Sequence, residues 1–167
     1  MKQLFEIGQK VAYGIHGVCR IIGTEIRKID KKSVEYFVLE PIRQPGSYYY
    51  IPTQNEKALA KLRNLITVEQ LKDVLSSDCY CWIEDENKRK QNYRDLITNA
   101  GCSQLLSAIR VLEKYKKEQF EAGKKFHQCD ENFLRDAERL VFEELSVVLE
   151  LDVSKVPEYL HSVLQNV

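Results

Sequence analysis

The first 52 residues alternate short β-branched and aromatic runs with Gly and Pro punctuation, and that pattern leaves few folds open. Residues 5–21 read as a short strand, a glycine-bounded turn and a return strand. Residues 34–39 read as a third strand, and residues 48–51 as a fourth that Pro52 stops. In the third, Val34, Tyr36 and Val38 share one face while Glu35, Phe37 and Leu39 share the other. Gly14 and Gly17 bracket Ile15 and His16, as a turn with positive φ requires. Residues 30–33 form a polar hairpin tip. Residues 41–46 form a loop, because two prolines and a glycine resist regular pairing. Four short strands punctuated in this way predict a small curled β-barrel. So small a barrel leaves no obvious room for catalysis, so recognition is the expected task.

Beyond Pro52 the apolar spacing changes from two to three and four, the mark of helices. Residues 56–65 read as a first short helix. Thr67 and Gln70 make a capping-box pair, opening a helix with Val68, Leu71, Val74 and Leu75 on one side. Residues 79–82 interrupt it. A further helix is expected from about residue 85 to 99, closed by Gly101 as its C-cap. Ser103 then caps a longer helix with Leu105, Leu106, Ile109, Leu112, Tyr115 and Phe120 as its stripe. Asp130 opens the next, whose Phe133, Leu134, Ala137, Leu140, Val141, Leu145, Val148 and Leu149 repeat at three and four. Ser154 starts a last helix, with Pro157 tolerated in its first turn. The expected class is α+β: a small β-barrel over residues 1–65, then an all-α helical bundle over residues 66–167.

Formal net charge is zero, but the charges are segregated. Residues 1–65 carry +5, residues 66–86 carry −5, residues 87–125 carry +6 and residues 126–167 carry −6. One helical stretch is therefore basic between acidic flanks, a local field that the sum conceals. No apolar run approaches the ~20 residues of a membrane span. No basic leader with an apolar stretch is present, so a cytoplasmic protein without a membrane partner is expected. Five cysteines in such a chain point to a reducing compartment, and the odd count argues against a disulfide framework. Cys79 and Cys81 are spaced more tightly than a zinc knuckle and have no second pair, so small buried hydrophobes are expected instead of a metal site. His16 reads as a turn residue. Phosphate-binding glycine loops, nucleophile elbows and metal-binding helix motifs are all missing, so no enzyme activity, cofactor or small-molecule substrate is expected.

Three N-terminal stretches carry a family likeness: Phe5, Ile7, Gly8, Val11, Tyr13, His16 and Gly17; then Glu35, Tyr36, Val38 and Leu39; then Ile51 and Pro52. Trp82, Ile83, Asp85 and Arg89 continue it, followed by Gly123, Lys124, Lys125, His127 and Asp130, then Asp136, Ala137, Glu138 and Leu140. The chain resembles the CarD/CdnL family of bacterial transcription regulators across both halves. Its N-terminal part is also similar to the polymerase-interacting module of transcription-repair coupling factors. The resemblance implies a Tudor/SH3-like barrel that docks on the β subunit of bacterial RNA polymerase. It further implies a helical domain that touches promoter DNA at the upstream edge of the transcription bubble. There a tryptophan wedges into the minor groove and stabilises the open complex; Trp82, the chain's single tryptophan, stands at the matching point. A polymerase-facing arginine of the family falls at Arg27, whereas a second falls at Tyr50, a departure from the pattern.

The polymerase-binding candidates are Arg27, Arg43, Tyr48, Tyr50, Ile51 and Pro52, on an edge able to accept a partner's strand. The DNA-binding candidates are Trp82, Lys88, Arg89, Lys90, Arg94, Lys124 and Lys125. Set against these are a tryptophan anchoring the core, since most are largely buried, and a merely solvated basic face. Phosphate contacts position without reading sequence, so the DNA contact is expected to be salt-sensitive and largely sequence-independent. The alternative is a protein–protein adaptor whose helical half binds another protein.

Overall fold

A computed structural model describes residues 5–76 and 80–165 and divides the chain into two compact units, Met1–Leu65 and Ile66–Val167. The class is α+β, an antiparallel sheet followed by helices.

In the first unit β1 (Lys10–Tyr13), β2 (Val18–Ile29), β3 (Lys32–Pro41), β4 (Tyr49–Pro52) and β5 (Leu62–Asn64) form one sheet in the order β4-β3-β2-β1-β5. Among the described residues the ladder stays open between β4 and β5, and the chain crosses from one to the other through a one-turn helix, α1 (Glu56–Leu59). Strands β2 and β3 make a long hairpin, paired from Cys19 opposite Pro41 to Ile29 opposite Lys32. It reverses on Asp30 and Lys31 alone, at φ 48° and 66°, the left-handed pair a two-residue hairpin loop demands. Residues 62–64 form a strand instead of ending a helix: Leu62, 1% exposed, lies opposite Tyr13. The inner face gathers Val11, Cys19, Ile21, Leu39, Ile51 and Leu62 around Phe5. His16 packs beside Tyr13 and Tyr49, with ring centroids 4.8 and 4.5 Å away. Burial, with the charge of Lys61, holds its imidazole below the ordinary range.

The second unit contains α2 (Val68–Leu75), α3 (Glu86–Asn99), α4 (Cys102–Glu121), α5 (Gln128–Leu149) and α6 (Val156–Gln165). The capping box at α2 is formed: the Gln70 amide donates to Thr67 Oγ1 at 3.1 Å and the Thr67 amide to Gln70 Oε1 at 3.0 Å. At its other end the Arg110 guanidinium donates to the carbonyls of Val74 and Leu75 at 3.2 and 3.1 Å, satisfying acceptors that a helix end leaves open. Helix α3 starts as expected on Asp85, whose carboxylate accepts from the Lys88 amide at 2.8 Å. Gly101 serves as the N-cap of α4 and does not close α3, which ends on the extended Ala100. The core joins Leu71, Val74 and Leu75 to Leu105, Leu106, Ile109 and Leu112 and to Phe133, Ala137, Val141 and Leu145. Phe120 departs from its assigned stripe and is 84% exposed. Five residues on from Tyr115 amounts to a rotation of about 140° on a helix, which turns the ring away from the core. No helix among the described residues is long and apolar enough to cross a membrane.

Candidate functional site

On the sheet, one irregularity decides which side chains meet. The β2–β3 register shifts between Ile21 and Gly23, so Ile21 opposes Leu39 while Gly23 opposes Val38. A one-residue insertion exchanges the two faces of everything beyond it. Glu25 and Arg27 thereby join the outer face, opposite Tyr36 and Val34. Strand β4 continues that face, with Tyr50 opposite Val38 and Pro52 opposite Tyr36. The Arg27 guanidinium lies 3.9 Å from the centre of the Tyr50 ring and donates to Glu25 at 2.8 Å. The hydrogen bond with Glu25 raises the Arg27 pKa further. A shallow depression of about 330 Å³ beside them is lined by Ile22, Gly23, Glu25, Val38, Tyr48 and Tyr50. Arg27, Tyr48, Tyr50 and Pro52 thus share the outer surface of the sheet. Arg43 is exposed in the loop between β3 and β4. Ile51 does not belong with them: it is 3% exposed and faces the inner core, as alternation from Tyr50 requires. Tyr50 thus forms a cation–π pair with Arg27.

In the helical unit the segment carrying Trp82 is tied down from both sides. The Tyr80 amide donates to Ser107 Oγ at 3.1 Å, and the Tyr80 hydroxyl donates to Asn92 at 3.0 Å. Trp82 is half-buried against the core, stacked on Tyr115 with ring centroids 3.9 Å apart. Its indole N–H is buried without a hydrogen-bond acceptor. Tyr115 continues to Phe126 at 6.3 Å, so an aromatic row leads from Trp82 to the segment that holds Lys124 and Lys125.

Arg89 requires the principal correction. It was expected on DNA, but its side chain is buried and grips the fully buried Asp130 through two parallel hydrogen bonds, Nε to Oδ1 at 2.7 Å and Nη2 to Oδ2 at 3.1 Å. Burial works against the guanidinium charge, but the hydrogen bonds and charge of Asp130 outweigh it and hold Arg89 above its ordinary range. Nη1 donates to the carbonyls of Ile83 and Glu84 at 3.0 and 3.2 Å, and the guanidinium carbon lies 4.6 Å from the Trp82 ring centre. The Tyr93 hydroxyl donates to Asp130 at 2.6 Å; burial, then this bond, raises its pKa strongly. With its donors so engaged, Arg89 is not available to a phosphate. Asp130, expected to open α5, sits inside that helix. A signal for both was present: Asp130 stands three and four residues before Phe133 and Leu134, and Arg89 four before Tyr93, so each lies on a buried stripe.

The other basic candidates are solvated but do not form one face. Lys88 and Lys90 project about 200° apart around α3. Lys90 is paired with Glu86 at 2.7 Å, while Arg94, one turn further on, is exposed. Lys124 and Lys125 are exposed beyond α4. Lys116 is held by Glu131 at 2.9 Å, over the Phe126 ring at 5.7 Å. Cys19 and Cys102 are buried, Cys129 is half-buried and Cys81 is exposed; Cys79 lies outside the described residues. Among the described residues no group of three or more His, Cys, Asp and Glu side chains is placed to hold a metal ion.

The molecule so defined is a two-unit protein: an antiparallel-sheet module with an arginine–tyrosine surface, and a helical module with an aromatic row ending at two lysines. Residues 5–66, which span the sheet unit, match the family model of the CarD-like/TRCF RID domain, an RNA polymerase-interacting kind of domain. Among curated proteins no match was found.

Proposed function

We propose that this protein is a transcription regulator of the CarD/CdnL type. Its sheet unit binds the RNA polymerase β subunit, and its helical unit touches promoter DNA at the upstream edge of the bubble and stabilises the open complex. The family match of residues 5–66 carries the polymerase half of this reading. The DNA half rests on the aromatic row that runs from Trp82 through Tyr115 to Phe126, the residue that follows Lys124 and Lys125 in the chain. An indole can unstack a base step, at a cost of a few kcal/mol that falls where the duplex is already opening. The lysines supply phosphate contacts that hold position without reading sequence. The protein acts as a binding module in this reading, without catalysis or cofactor.

Two variants test the halves separately. Arg27→Glu with Tyr50→Ala should abolish pull-down of the polymerase β subunit; retained binding would mean that another face docks. Trp82→Ala should retain pull-down yet lose the extension of open-complex lifetime; an unchanged lifetime would remove the wedge. One observation favours an adaptor instead. Phe120 is 84% exposed beside a groove lined by Glu113, Glu131, Arg135 and Glu138, a mixed-charge surface suited to protein. A salt-dependent shift of a forked promoter fragment in the presence of polymerase separates the readings, since only the DNA-touching form produces it.

A further inference from the structure

We infer that Arg89, with Asp130 behind it, is the positioning residue for Trp82: it fixes the indole that the proposed function requires and does not itself touch DNA. The inference rests on that reading of Trp82, and its geometric part stands independently.

Residues 81–85 have no regular secondary structure, and a tryptophan on such a segment would sample many rotamers. A ring that must enter one base step with one orientation loses affinity in proportion to that freedom. Arg89 removes the freedom in three ways at once. Its guanidinium lies over the indole, which Tyr115 also stacks. Its Nη1 holds the carbonyls of Ile83 and Glu84, the two residues that follow Trp82. Its Nε and Nη2 are locked on Asp130, so the fork cannot swing away to another acceptor. Tyr93 fixes the carboxylate in turn. Lysine could replace the charge but not the fork: a single ammonium cannot reach a carboxylate, two carbonyls and a ring face in one plane.

Because Trp82 is the single tryptophan, its emission reports its own environment in the full chain. The experiment compares the full-length protein with Arg89→Lys, with the charge-balanced pair Arg89→Met/Asp130→Asn, and with Trp82→Ala. Emission, acrylamide quenching, thermal melting, β-subunit pull-down and open-complex lifetime on one promoter are read for each. The expected result for the pair is a cooperative melt and retained pull-down, with red-shifted emission, stronger quenching and loss of the lifetime extension. Arg89→Lys, which keeps the charge, should show the same changes in emission and lifetime. A folded pair variant with unchanged emission and quenching would overturn the inference. So would a shifted emission with full lifetime extension, provided that Trp82→Ala abolishes it. If Trp82→Ala leaves the lifetime unchanged, the proposed function falls instead, and emission alone decides whether Arg89 holds the indole.

Discussion

Replacing Asp130 by alanine is the most informative perturbation of the helical unit. Asp130 has no solvent exposure and accepts three hydrogen bonds: two from Arg89, at 2.7 and 3.1 Å, and one from the Tyr93 hydroxyl at 2.6 Å. Asp130→Ala leaves a guanidinium that is 3% exposed without its counter-charge. Breaking a buried pair from one side costs about 3–5 kcal/mol, because the remaining charge stays desolvated. The stranded phenol adds about 1–3 kcal/mol, but the losses share one network and are not additive. A destabilisation of about 4 kcal/mol is expected, against about 5–15 kcal/mol for a domain. Urea unfolding followed by Trp82 emission measures it in the unit concerned.

The same reasoning makes a second demand on that experiment. If the cost is that of an orphaned charge, removing the whole network should recover most of it. Arg89→Met with Tyr93→Phe and Asp130→Leu replaces the polar groups by apolar ones of similar volume, an exchange that is often neutral. The triple variant should therefore unfold at a urea concentration near that of the unaltered protein while showing altered Trp82 quenching. A loss below about 1 kcal/mol for Asp130→Ala, the range of an exposed pair, would refute the reasoning. A triple variant as unstable as the single one would also refute it, by showing that the pair contributes more than it costs to bury.

Two further predictions concern exposed and half-exposed charges. Burial, reinforced by the hydrogen bond and charge of Glu113, pushes the Glu138 carboxyl up to about 7. A raised carboxyl pKa favours the folded state below the unfolded value and loses that stability as pH rises through about 7, so Glu138→Gln should be more stable than the unaltered protein at pH 8 and equal to it near pH 5. After solvent screening of a half-exposed group the gain is about 1 kcal/mol by urea midpoint, and an equal gain at both pH values would contradict it. Lys124→Ala with Lys125→Ala should lower the logarithmic salt slope of DNA binding by roughly 1.8, at about 0.9 for each phosphate no longer neutralised, with polymerase pull-down unchanged.

The parts of the fold legible in the sequence were those with a strong local pattern. The capping box of Thr67 and Gln70, the Asp85 cap and the stripe from Phe133 to Leu145 each announce themselves within one or two turns. Residues 22–29 did not read as strand. Ile26 and Ile29 are 68% and 49% exposed on a ribbon that extends beyond its neighbours, so the alternation that marks a half-buried strand is missing. The bulge after Ile21 has no sequence signature except Gly23, yet it decides that Arg27 meets Tyr50. Among the DNA candidates, charge alone suggests an exposed side chain open to phosphate, and Arg89 shows why that fails: a residue on a buried stripe finds its partner 41 positions away, beyond any local rule.

Reassigning Arg89 changes how the two units must cooperate. Without it the charge left for the proposed DNA contact is that of Lys88, Lys90, Arg94, Lys124 and Lys125, of which Lys90 is already paired with Glu86. Lys88 points about 200° away from Lys90 on the same helix, so the cations do not converge on one stretch of phosphates. With acidic residues on either side of the basic stretch, the helical unit alone should hold duplex DNA weakly. A weak site becomes effective when a second site holds it in place, because binding is then set by an effective concentration fixed by the connecting chain. Polymerase docking through the Arg27–Tyr50 face would supply that concentration only at promoters already occupied by polymerase. Under the proposed function, selectivity for the bubble edge would need no base readout: docking would set the place, and a pre-oriented Trp82 would discriminate melting DNA from closed duplex by the lower cost of unstacking.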